Sequence, residues 1–345
     1  MPELRYRLLG RSGLRVSELS LGAMLFGSAA TREQAAAIVA RYAEAGGNFI
    51  DTANRYAGGE SERIVGDLIR PDRDRWVLAT KYVLSTDHAD PNAGGAHRKS
   101  MRRALDASLR RLGTDYVDLY WMHVWDAFTP VEEVVRALDD LVRAGKVLAI
   151  GISDTPSWLV ARAVTLAEER GLTPFCAVQV PYSLVERSVE RELLPMARAL
   201  DLAVTGWAPL GGGRLTGRYG TDRPRPADGR WAGRELSAHD LAVADALNAV
   251  AEARGAGASQ VALAWLRAQQ HRAVTIPIVG ARTEAQLADA LAAVELELTP
   301  AELEQLDVTS RIEPGFPGDF GGGGLPHGAL LDRVDDHRGT IDPLI

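Results

Sequence analysis

The sequence predicts an α/β protein whose single domain is a closed (β/α)8 barrel, the TIM-barrel fold. Eight short apolar runs alternate with helical patterns along nearly all of the 345 residues. The runs are nearly continuously apolar, which is typical of parallel strands covered on both faces. Because little sequence remains outside the eight strand–helix units, a closed barrel is favoured over an open doubly wound sheet. Within the single domain 1–345, the barrel is expected at about residues 15–310 and an irregular tail at 311–345.

Each predicted strand is a short apolar segment bounded by turn residues or by the start of a helical pattern. The strands are predicted at residues 16–22, 48–51, 76–80, 117–122, 147–151, 177–180, 203–207 and 274–279. The helices are predicted at residues 31–45, 61–68, 97–112, 130–144, 156–170, 189–200, 241–253 with 259–267, and 284–294. Thr31 and Glu33 suit the first helix start because the exposed N–H groups there need acceptors and favour negative charge.

Three segments lie outside this alternation. Residues 6–8 and 10–14 suggest a small N-terminal hairpin that closes the bottom of the barrel. Residues 209–237 are rich in Gly, Pro, Arg and Asp and are too long for an ordinary strand–helix connection, which predicts a lid or a binding loop. A last helix covers residues 301–310, and the tail beyond it carries four glycines at 321–324.

Composition excludes several classes of function. The net charge of -7 opposes binding to nucleic acid, which requires a basic face. Cys176 is the only cysteine, so an internal disulfide is excluded. No apolar run reaches the length of a membrane span, and no apolar segment of a secretion signal begins the chain, so a cytoplasmic protein without a membrane partner is expected. No closely spaced group of His, Cys and carboxylates predicts a metal site.

Polar residues follow successive predicted strands at the ends where this fold collects its catalytic groups. Asp51 ends the second strand, Tyr56 lies in the next loop, Lys81 follows the third strand and His123 follows the fourth. A tyrosine can give its proton to a carbonyl oxygen, and a nearby ammonium stabilises the phenolate that remains. Asp51 can hold Lys81 charged, and His123 can orient the carbonyl oxygen. The set therefore predicts proton donation to a carbonyl group.

Each of these four residues, taken alone, also has an ordinary structural explanation. Asp51 can cap a turn, Tyr56 can lie on a surface loop, Lys81 can be solvated and His123 can be a core histidine. Lysine, however, occurs at only three positions in the chain, and arginine fills the other basic positions. A lysine retained at position 81 indicates a role that the planar guanidinium of arginine cannot fill.

Several segments resemble the aldo-keto reductase family. Asp51 and Tyr56 lie at the family's spacing in FIDTANRYAGGESERIVG, Lys81 lies in LATKY, and His123 lies in DYVDLYWMHVWD. The resemblance covers about residues 5–310 and continues through GKVLAIGISD, VQVPYSLVER, WAPLGGGRLTGRY, VALAWL and TIPIVGARTEAQL. The long loop and the GART segment are more similar to bacterial and channel-β-subunit-like members than to the mammalian aldose-reductase branch. The resemblance implies hydride transfer to an aldehyde or ketone, with Tyr56 as the proton donor.

The resemblance also implies a bound NADPH or NADP+. It assigns Ser153 and Gln179 to the nicotinamide carboxamide, Trp207 to the nicotinamide ring, and residues 208–213 to the pyrophosphate. Arg282 belongs to the adenosine-phosphate end, where its guanidinium suits a 2′-phosphate. The full implied set is Gly22, Ser153, Asp154, Gln179, Trp207, Ala208, Pro209, Leu210, Gly211, Gly213, Gly280, Arg282 and Gln286.

Two positions depart from the family's pattern. Asp154 stands where the family often has asparagine, so an ionised side chain there accepts but does not donate a hydrogen bond. Ala290 stands where an adenine-contacting asparagine is common. Both changes are expected to weaken cofactor binding or alter its preference, and the tail after Arg311 matches the family poorly.

Two other functions compete with the reductase. A nicotinamide-binding regulatory subunit would use the same site with little turnover. A barrel hydrolase using Asp51 and Glu60 would need no nicotinamide and would leave Lys81 and Arg282 without a role. A Rossmann site is excluded because GGGRLTG does not match GxGxxG and no strand–GxGxxG–helix unit is present. The sequence predicts a small carbonyl compound as substrate but sets neither its identity nor the oligomeric state.

Overall fold

A two-stranded hairpin begins the chain, and eight parallel strands then close into a barrel. The computed structural model describes residues 2–224, 226–227, 229 and 231–321. The antiparallel hairpin consists of β1 (Tyr6–Leu8) and β2 (Arg15–Ser17). The barrel strands are β3 (Ser20–Gly22), β4 (Phe49–Asp51), β5 (Val77–Tyr82), β6 (Val117–Met122), β7 (Val147–Ser153), β8 (Ala177–Pro181), β9 (Ala203–Trp207) and β10 (Thr275–Val279). Each pairs with the next, and β10 closes the ring against β3, which confirms the predicted fold.

Helices surround this barrel. They are α1 (Arg32–Glu44), α2 (Glu60–Ile69), α3 (Arg98–Leu112), α4 (Val131–Arg143), α5 (Ser157–Glu169), α6 (Leu193–Ala199), α7 (Ala238–Arg254), α8 (Ala258–Ala268), α9 (Glu284–Ala292), α10 (Pro300–Ser310) and α11 (Gly318–Gly321). Thr31 caps α1 through a reciprocal capping box with Gln34, as its position in the sequence indicates. The predicted helix 189–200 is shorter than expected and begins only at Leu193, since Pro195 lacks an N–H and is tolerated only in a first turn.

The hairpin and the first barrel strand are present, but their predicted bounds are wrong. The second hairpin strand is β2 rather than residues 10–14, and a bend at residues 18–19 divides the run 16–22 between β2 and β3. Buried Glu18 lies at this bend, where its carboxylate accepts from the Arg5 backbone N–H at 3.0 Å and pairs with Arg267 at 2.9 Å. Because Arg267 lies on α8, the apolar pattern of residues 16–22 does not reveal the bend.

The hairpin nevertheless closes the barrel at its amino-terminal end, as predicted. Leu9 and Val16 are fully buried and belong to the same apolar cluster as Phe49 and Val77, the first residues of β4 and β5. Trp121 fills the interior of the barrel across from Gly151, where an added Cβ would lie 2.2 Å from its ring. The barrel interior is therefore a packed core, and chemistry is confined to its carboxyl end.

The segment between β9 and α7 contains a short 3₁₀ helix at Gly211–Gly213 and is otherwise irregular over its described residues. Two contacts attach it to α7. Arg214 pairs with Asp240 at 2.7 Å, and Asn248 donates to the Tyr219 carbonyl at 2.8 Å. Its role as a lid or binding loop stays a prediction. Beyond α10, the tail contains the single turn α11, so it is not irregular throughout; residues 322–345, with most of the glycine run, lie outside the described part. No helix among the residues described is long and apolar enough to cross a membrane.

Candidate active site

Four polar residues predicted from the sequence come together at the carboxyl end of the barrel. Asp51 ends β4, Lys81 lies in β5, and His123 follows β6. The Lys81 ammonium donates to an Asp51 carboxylate oxygen, to the Thr52 carbonyl at 2.9 Å and to the Tyr56 hydroxyl at 3.2 Å. Three acceptors thus surround one ammonium, and the Tyr56 oxygen is one of them.

The Lys81 side chain is fully buried, and this burial sets its electrostatics. Burial disfavours the ammonium, but the negative charge of Asp51 and the contact with Tyr56 outweigh that effect, so the pKa of Lys81 is raised. The residue therefore remains an ammonium at neutral pH. Lys81 is therefore not the solvated surface lysine of the ordinary structural explanation.

Asp51 has both of its carboxylate oxygens occupied. Lys81 donates to one oxygen, and the Gln179 side-chain amide donates to the other at 3.1 Å. The carboxylate is itself nearly inaccessible to solvent. Gln179 reaches this carboxylate from β8 on another part of the barrel wall, a contact that the sequence did not reveal. It links the residues assigned to the cofactor with those assigned to proton transfer.

Tyr56 and His123 line the open side of the cluster. Their rings meet edge to face with centroids 5.9 Å apart, and Tyr56 is half-buried. Burial, with smaller contributions from the positive charges of Lys81 and Arg55, lowers the pKa of His123 to about 3. Its Nδ1 is enclosed and has no partner among the described residues. His123 is therefore a neutral imidazole at ordinary pH, and only its other nitrogen can act on a ligand.

A sharp turn after Tyr56 holds this tyrosine in place. Ala57, Gly58 and Gly59 all adopt positive φ, at 48°, 64° and 92°. This left-handed region favours glycine, and a Cβ at Gly59 would lie 2.8 Å from the Arg111 side chain. The turn leads directly into α2. Residues 57–59 therefore fix the end of the loop and direct the Tyr56 hydroxyl toward Lys81.

A buried network behind the cluster was missed by the sequence analysis. Glu62 is fully buried on α2, where it accepts from the Thr80 hydroxyl at 2.6 Å and pairs with Arg111 at 2.6 Å. Thr80 immediately precedes Lys81 in β5, so this pairing anchors α2 and α3 to the strand that carries the ammonium. The sequence offers no signal for it, because a glutamate in a helix is ordinarily solvent-exposed.

The residues assigned to the nicotinamide end lie on three consecutive strands. Ser153 ends β7, Gln179 lies in β8, and Trp207 ends β9 with 38% of its surface exposed. Ser153 and Gln179 are paired across β7 and β8, and both are buried. Buried hydrogen-bonding side chains therefore lie beside an accessible indole, which suits a flat amide-bearing ring.

Asp154 joins this group through two contacts, and a third contact links it to the loop after β6. Its carboxylate accepts from the Trp207 indole N–H at 3.1 Å, and its backbone N–H donates to the Gln179 carbonyl at 3.1 Å. Its own carbonyl accepts from the Trp125 N–H, and its φ is +44°, a value that Asp tolerates better than most residues. Although the residue is exposed, partial loss of hydration raises the pKa of its carboxyl, while Trp207 and Lys81 act in the opposite direction.

The segment 208–213 contains a run of left-handed backbone. Ala208, Gly211, Gly212 and Gly213 have φ values of 51°, 59°, 68° and 105°. A Cβ at Gly211 would lie 2.5 Å from Val185, so a larger residue does not fit there. Buried Pro209 and partly buried Leu210 connect this turn to β9. Such closely turned backbone can present N–H groups to an anion.

The last part of the implied site lies between β10 and α9. Gly22 and Gly280 are close there, and a Cβ at Gly22 would lie 2.8 Å from the Ile278 side chain. Gln286 accepts from the Arg282 backbone N–H at 2.9 Å, next to the helix cap Thr283. The Arg282 side chain is exposed, and within the described ranges no ion pair holds it. Ala290, one of the two departures, is buried against the core.

A cavity that the sequence did not predict lies at the same end of the barrel. It has a volume of about 750 Å³ and lies between the loop after β5 and the loop after β6. Trp125 and Phe128 line one side, and Val83 and Pro91 line the other. These loops begin within two residues of Lys81 and His123, so the cavity lies at the carboxyl end of the barrel, but neither of these residues lines it.

Comparison with known proteins identifies the family. Residues 18–311 match the model of the aldo/keto reductase family. The chain is 41% identical to norsolorinic acid reductase of Emericella nidulans, with 89% of this chain and 81% of that protein covered. It is 36% identical to an aryl-alcohol dehydrogenase of Pestalotiopsis microspora, with 98% and 91% covered, and 36% identical to an aldo-keto reductase of Aspergillus calidoustus, with 92% and 85% covered.

These relatives are fungal oxidoreductases, so the predicted likeness to the bacterial and channel-β-subunit-like branch finds no support among them. The family itself is confirmed by the match over residues 18–311 and by the near-complete alignments. The chain therefore belongs to the aldo/keto reductase family of oxidoreductases.

Proposed function

We propose that this protein reduces an aryl aldehyde or aryl ketone to the alcohol with NADPH, and that Tyr56 donates the proton. The observation that carries the proposal is the contact between the Tyr56 hydroxyl and the fully buried Lys81 ammonium. Asp51 holds this ammonium in turn, and neutral His123 lies at the edge of the phenol ring. No surface lysine would be surrounded in this way.

The chain's own features fit a nicotinamide dinucleotide. Trp207 presents an accessible indole on the strand next to buried Gln179 and its neighbour Ser153, which suits a ring bearing a carboxamide. The left-handed turn at Gly211–Gly213 suits a pyrophosphate. Arg282 is an exposed guanidinium without an ion-pair partner among the residues described, next to the amino end of α9. When bound, the dinucleotide would supply the hydride.

The remaining chemistry is assigned to the four clustered residues. The substrate oxygen accepts hydrogen bonds from the Tyr56 hydroxyl and from the solvent-facing nitrogen of His123. As the carbonyl carbon gains the hydride, Tyr56 releases its proton to the oxygen, and the product is a neutral alcohol. Lys81 stabilises the phenolate that remains, and Asp51 keeps Lys81 charged and oriented. Water can then return the proton to Tyr56.

Arg282 favours NADPH over NADH in this proposal. A guanidinium makes paired, charge-assisted hydrogen bonds to a phosphate. The neighbouring Gln286 side chain already accepts from the Arg282 backbone, which fixes the turn in front of α9. The amino end of a helix also favours an anion. These features suit the 2′-phosphate that distinguishes NADPH from NADH.

The aryl substrate is supported by the cavity and by the relatives. Trp125 and Phe128 give the cavity an aromatic side, and Phe128 is 96% exposed. Aromatic rings bind one another in stacked or edge-on arrangements. One relative is named for an aryl alcohol, the reduced partner of an aryl carbonyl. A volume of about 750 Å³ leaves room for more than one ring.

The hydrolase alternative is not favoured by the arrangement of its two carboxylates. Asp51 has both oxygens engaged by Lys81 and Gln179, and Glu60 pairs with Arg63 at 3.3 Å. The two carboxylates do not contact each other, and each is engaged by other side chains rather than available to activate water. Lys81 and Arg282 would also have no role in hydrolysis.

The test is to measure NADPH consumption with a series of aryl aldehydes and aryl ketones, and with aliphatic carbonyls of matched size. The alcohol product is identified by mass spectrometry. We expect turnover with higher kcat/KM for the aryl members, and a lower aryl preference in Phe128→Ala. Tight NADPH binding without turnover on any carbonyl would contradict the proposal and favour the regulatory-subunit alternative.

A further inference from the structure

Asp154 places a negative charge beside the nicotinamide end of the site. Its carboxylate holds the Trp207 indole at 3.1 Å, and its backbone N–H is bonded to the Gln179 carbonyl. The residue directly follows Ser153, and it contacts the side chain of Trp207 and the backbone of Gln179. Its position is therefore fixed relative to the indole on which the nicotinamide ring is proposed to stack.

We infer that the Asp154 carboxylate makes this site prefer the oxidised cofactor, NADP+, over NADPH to a greater degree than an uncharged side chain would. This inference rests on the proposed function. The oxidised nicotinamide ring carries a positive charge and the reduced ring is neutral, so a nearby anion attracts only the oxidised form. The charge at position 154 thus changes the affinity for NADP+ relative to NADPH and does not change the affinity for both forms equally.

The other charged groups near the site do not cancel this effect. The positive charge of Lys81 acts on Asp154, where it lowers the carboxyl pKa, but Lys81 is paired with the opposite charge of buried Asp51. His123 is neutral because its pKa is lowered to about 3. Within the described part of the chain, no cation forms an ion pair with Asp154. The carboxylate accepts only from an uncharged indole. Its charge is thus available to a cation stacked on Trp207.

Asparagine is a close structural match for Asp154. Its side-chain carbonyl can accept from the Trp207 N–H as the carboxylate does. Asparagine also tolerates the left-handed backbone found at this position, where φ is +44°. Asp154→Asn therefore removes the charge while keeping the hydrogen bond, the turn and the volume. Any selective change in cofactor affinity then reports the charge.

The size of the effect follows from the interaction of two charges near a protein surface. At several ångströms and an effective dielectric constant of about 20–40, the attraction corresponds to roughly a five-fold preference or more. We therefore expect Asp154→Asn to weaken NADP+ binding about five-fold and to leave NADPH binding within about two-fold of wild type. The effect should decrease as salt is added, since salt screens partly exposed charges.

The experiment measures Kd for NADP+ and for NADPH by calorimetry, in wild type and in Asp154→Asn. It is done at about pH 8, above the ordinary range of carboxyl pKa values. Asp115→Asn is the matched control, because Asp115 is exposed and lies two residues before β6, at the opposite end of the barrel. This control should change neither Kd.

The ratio of the two dissociation constants decides the outcome. A selective loss of NADP+ affinity in Asp154→Asn supports the inference. Equal losses for both forms, or no change in either, would overturn it while leaving the proposed function intact. Failure of the wild-type protein to bind either form would refute the proposed function and this inference together.

Discussion

Replacing Lys81 with methionine isolates the charge at the centre of the proposed mechanism. Methionine keeps most of the length and volume of the side chain but removes the ammonium. The Asp51 carboxylate, 3% exposed, would then retain only the Gln179 amide as a donor. Breaking a buried ion pair by removing one partner costs about 3–5 kcal/mol, because the remaining charge stays buried. Since whole proteins are stable by about 5–15 kcal/mol, this loss is large.

The chain provides its own control for this substitution. Lys146 pairs with Asp106 at 2.7 Å, but both side chains are more than 40% exposed. Exposed pairs contribute about 0–1 kcal/mol, so Lys146→Met should be nearly neutral. The two variants make the same chemical change in the same protein, and they differ in the burial of the pair.

The assay is urea unfolding, with turnover measured in parallel. Lys81→Met should unfold at a much lower urea concentration than wild type, and Lys146→Met should not. The double variant Lys81→Met/Asp51→Asn should recover part of the lost stability, because it no longer buries an unpaired carboxylate. Both variants lacking Lys81 should be nearly inactive. Equal destabilisation by Lys81→Met and Lys146→Met would show that burial of the Lys81–Asp51 pair does not determine its contribution to stability.

Two further predictions concern Arg282 and His123. Arg282→Ala should weaken NADPH binding by about 1.5–3 kcal/mol while changing NADH binding little, because a charged hydrogen bond to the 2′-phosphate is lost; equal losses for both cofactors would count against that contact. The pKa of His123 is lowered from 6.5 to about 3, so the unfolded chain takes up a proton that the folded protein does not. The stability associated with neutral His123 is complete above about pH 6.5 and is lost as pH falls toward 3. His123→Asn should therefore reduce the loss of stability on the acid side by up to about 1 kcal/mol per pH unit, measured as urea unfolding at several pH values, whereas exposed His271→Asn should not.

The predictable part of the fold is the part that local patterns encode. Parallel strands covered on both faces must be apolar along their length, so the strands at residues 117–122 and 203–207 could be read from composition alone. The bend at Glu18 could not be read, because it is stabilised by Arg267 on a helix 249 positions later. The local sequence around either residue does not indicate an interaction between residues so far apart in the chain.

In the candidate site too, local sequence predicts some features, and others depend on contacts between distant residues. Asp51, Lys81 and His123 lie at strand ends, and the fold brings strand ends together, so their proximity could be predicted. The contact between Gln179 and Asp51 crosses the barrel, and Glu62 lies on the buried face of the amphipathic helix α2. Both depend on the exact spacing of elements in the folded protein. The cavity beside Trp125 is likewise a property of two loops packed together.

The most direct test of the central claim compares Tyr56→Phe with wild type in both cofactor binding and turnover. Phenylalanine keeps the ring next to His123 and removes only the hydroxyl that contacts Lys81. We expect an NADPH Kd close to that of wild type together with a loss of aryl-aldehyde reduction by about 10²–10⁴-fold, the usual contribution of a general acid. Turnover close to that of wild type would contradict the assignment of Tyr56 as the proton donor.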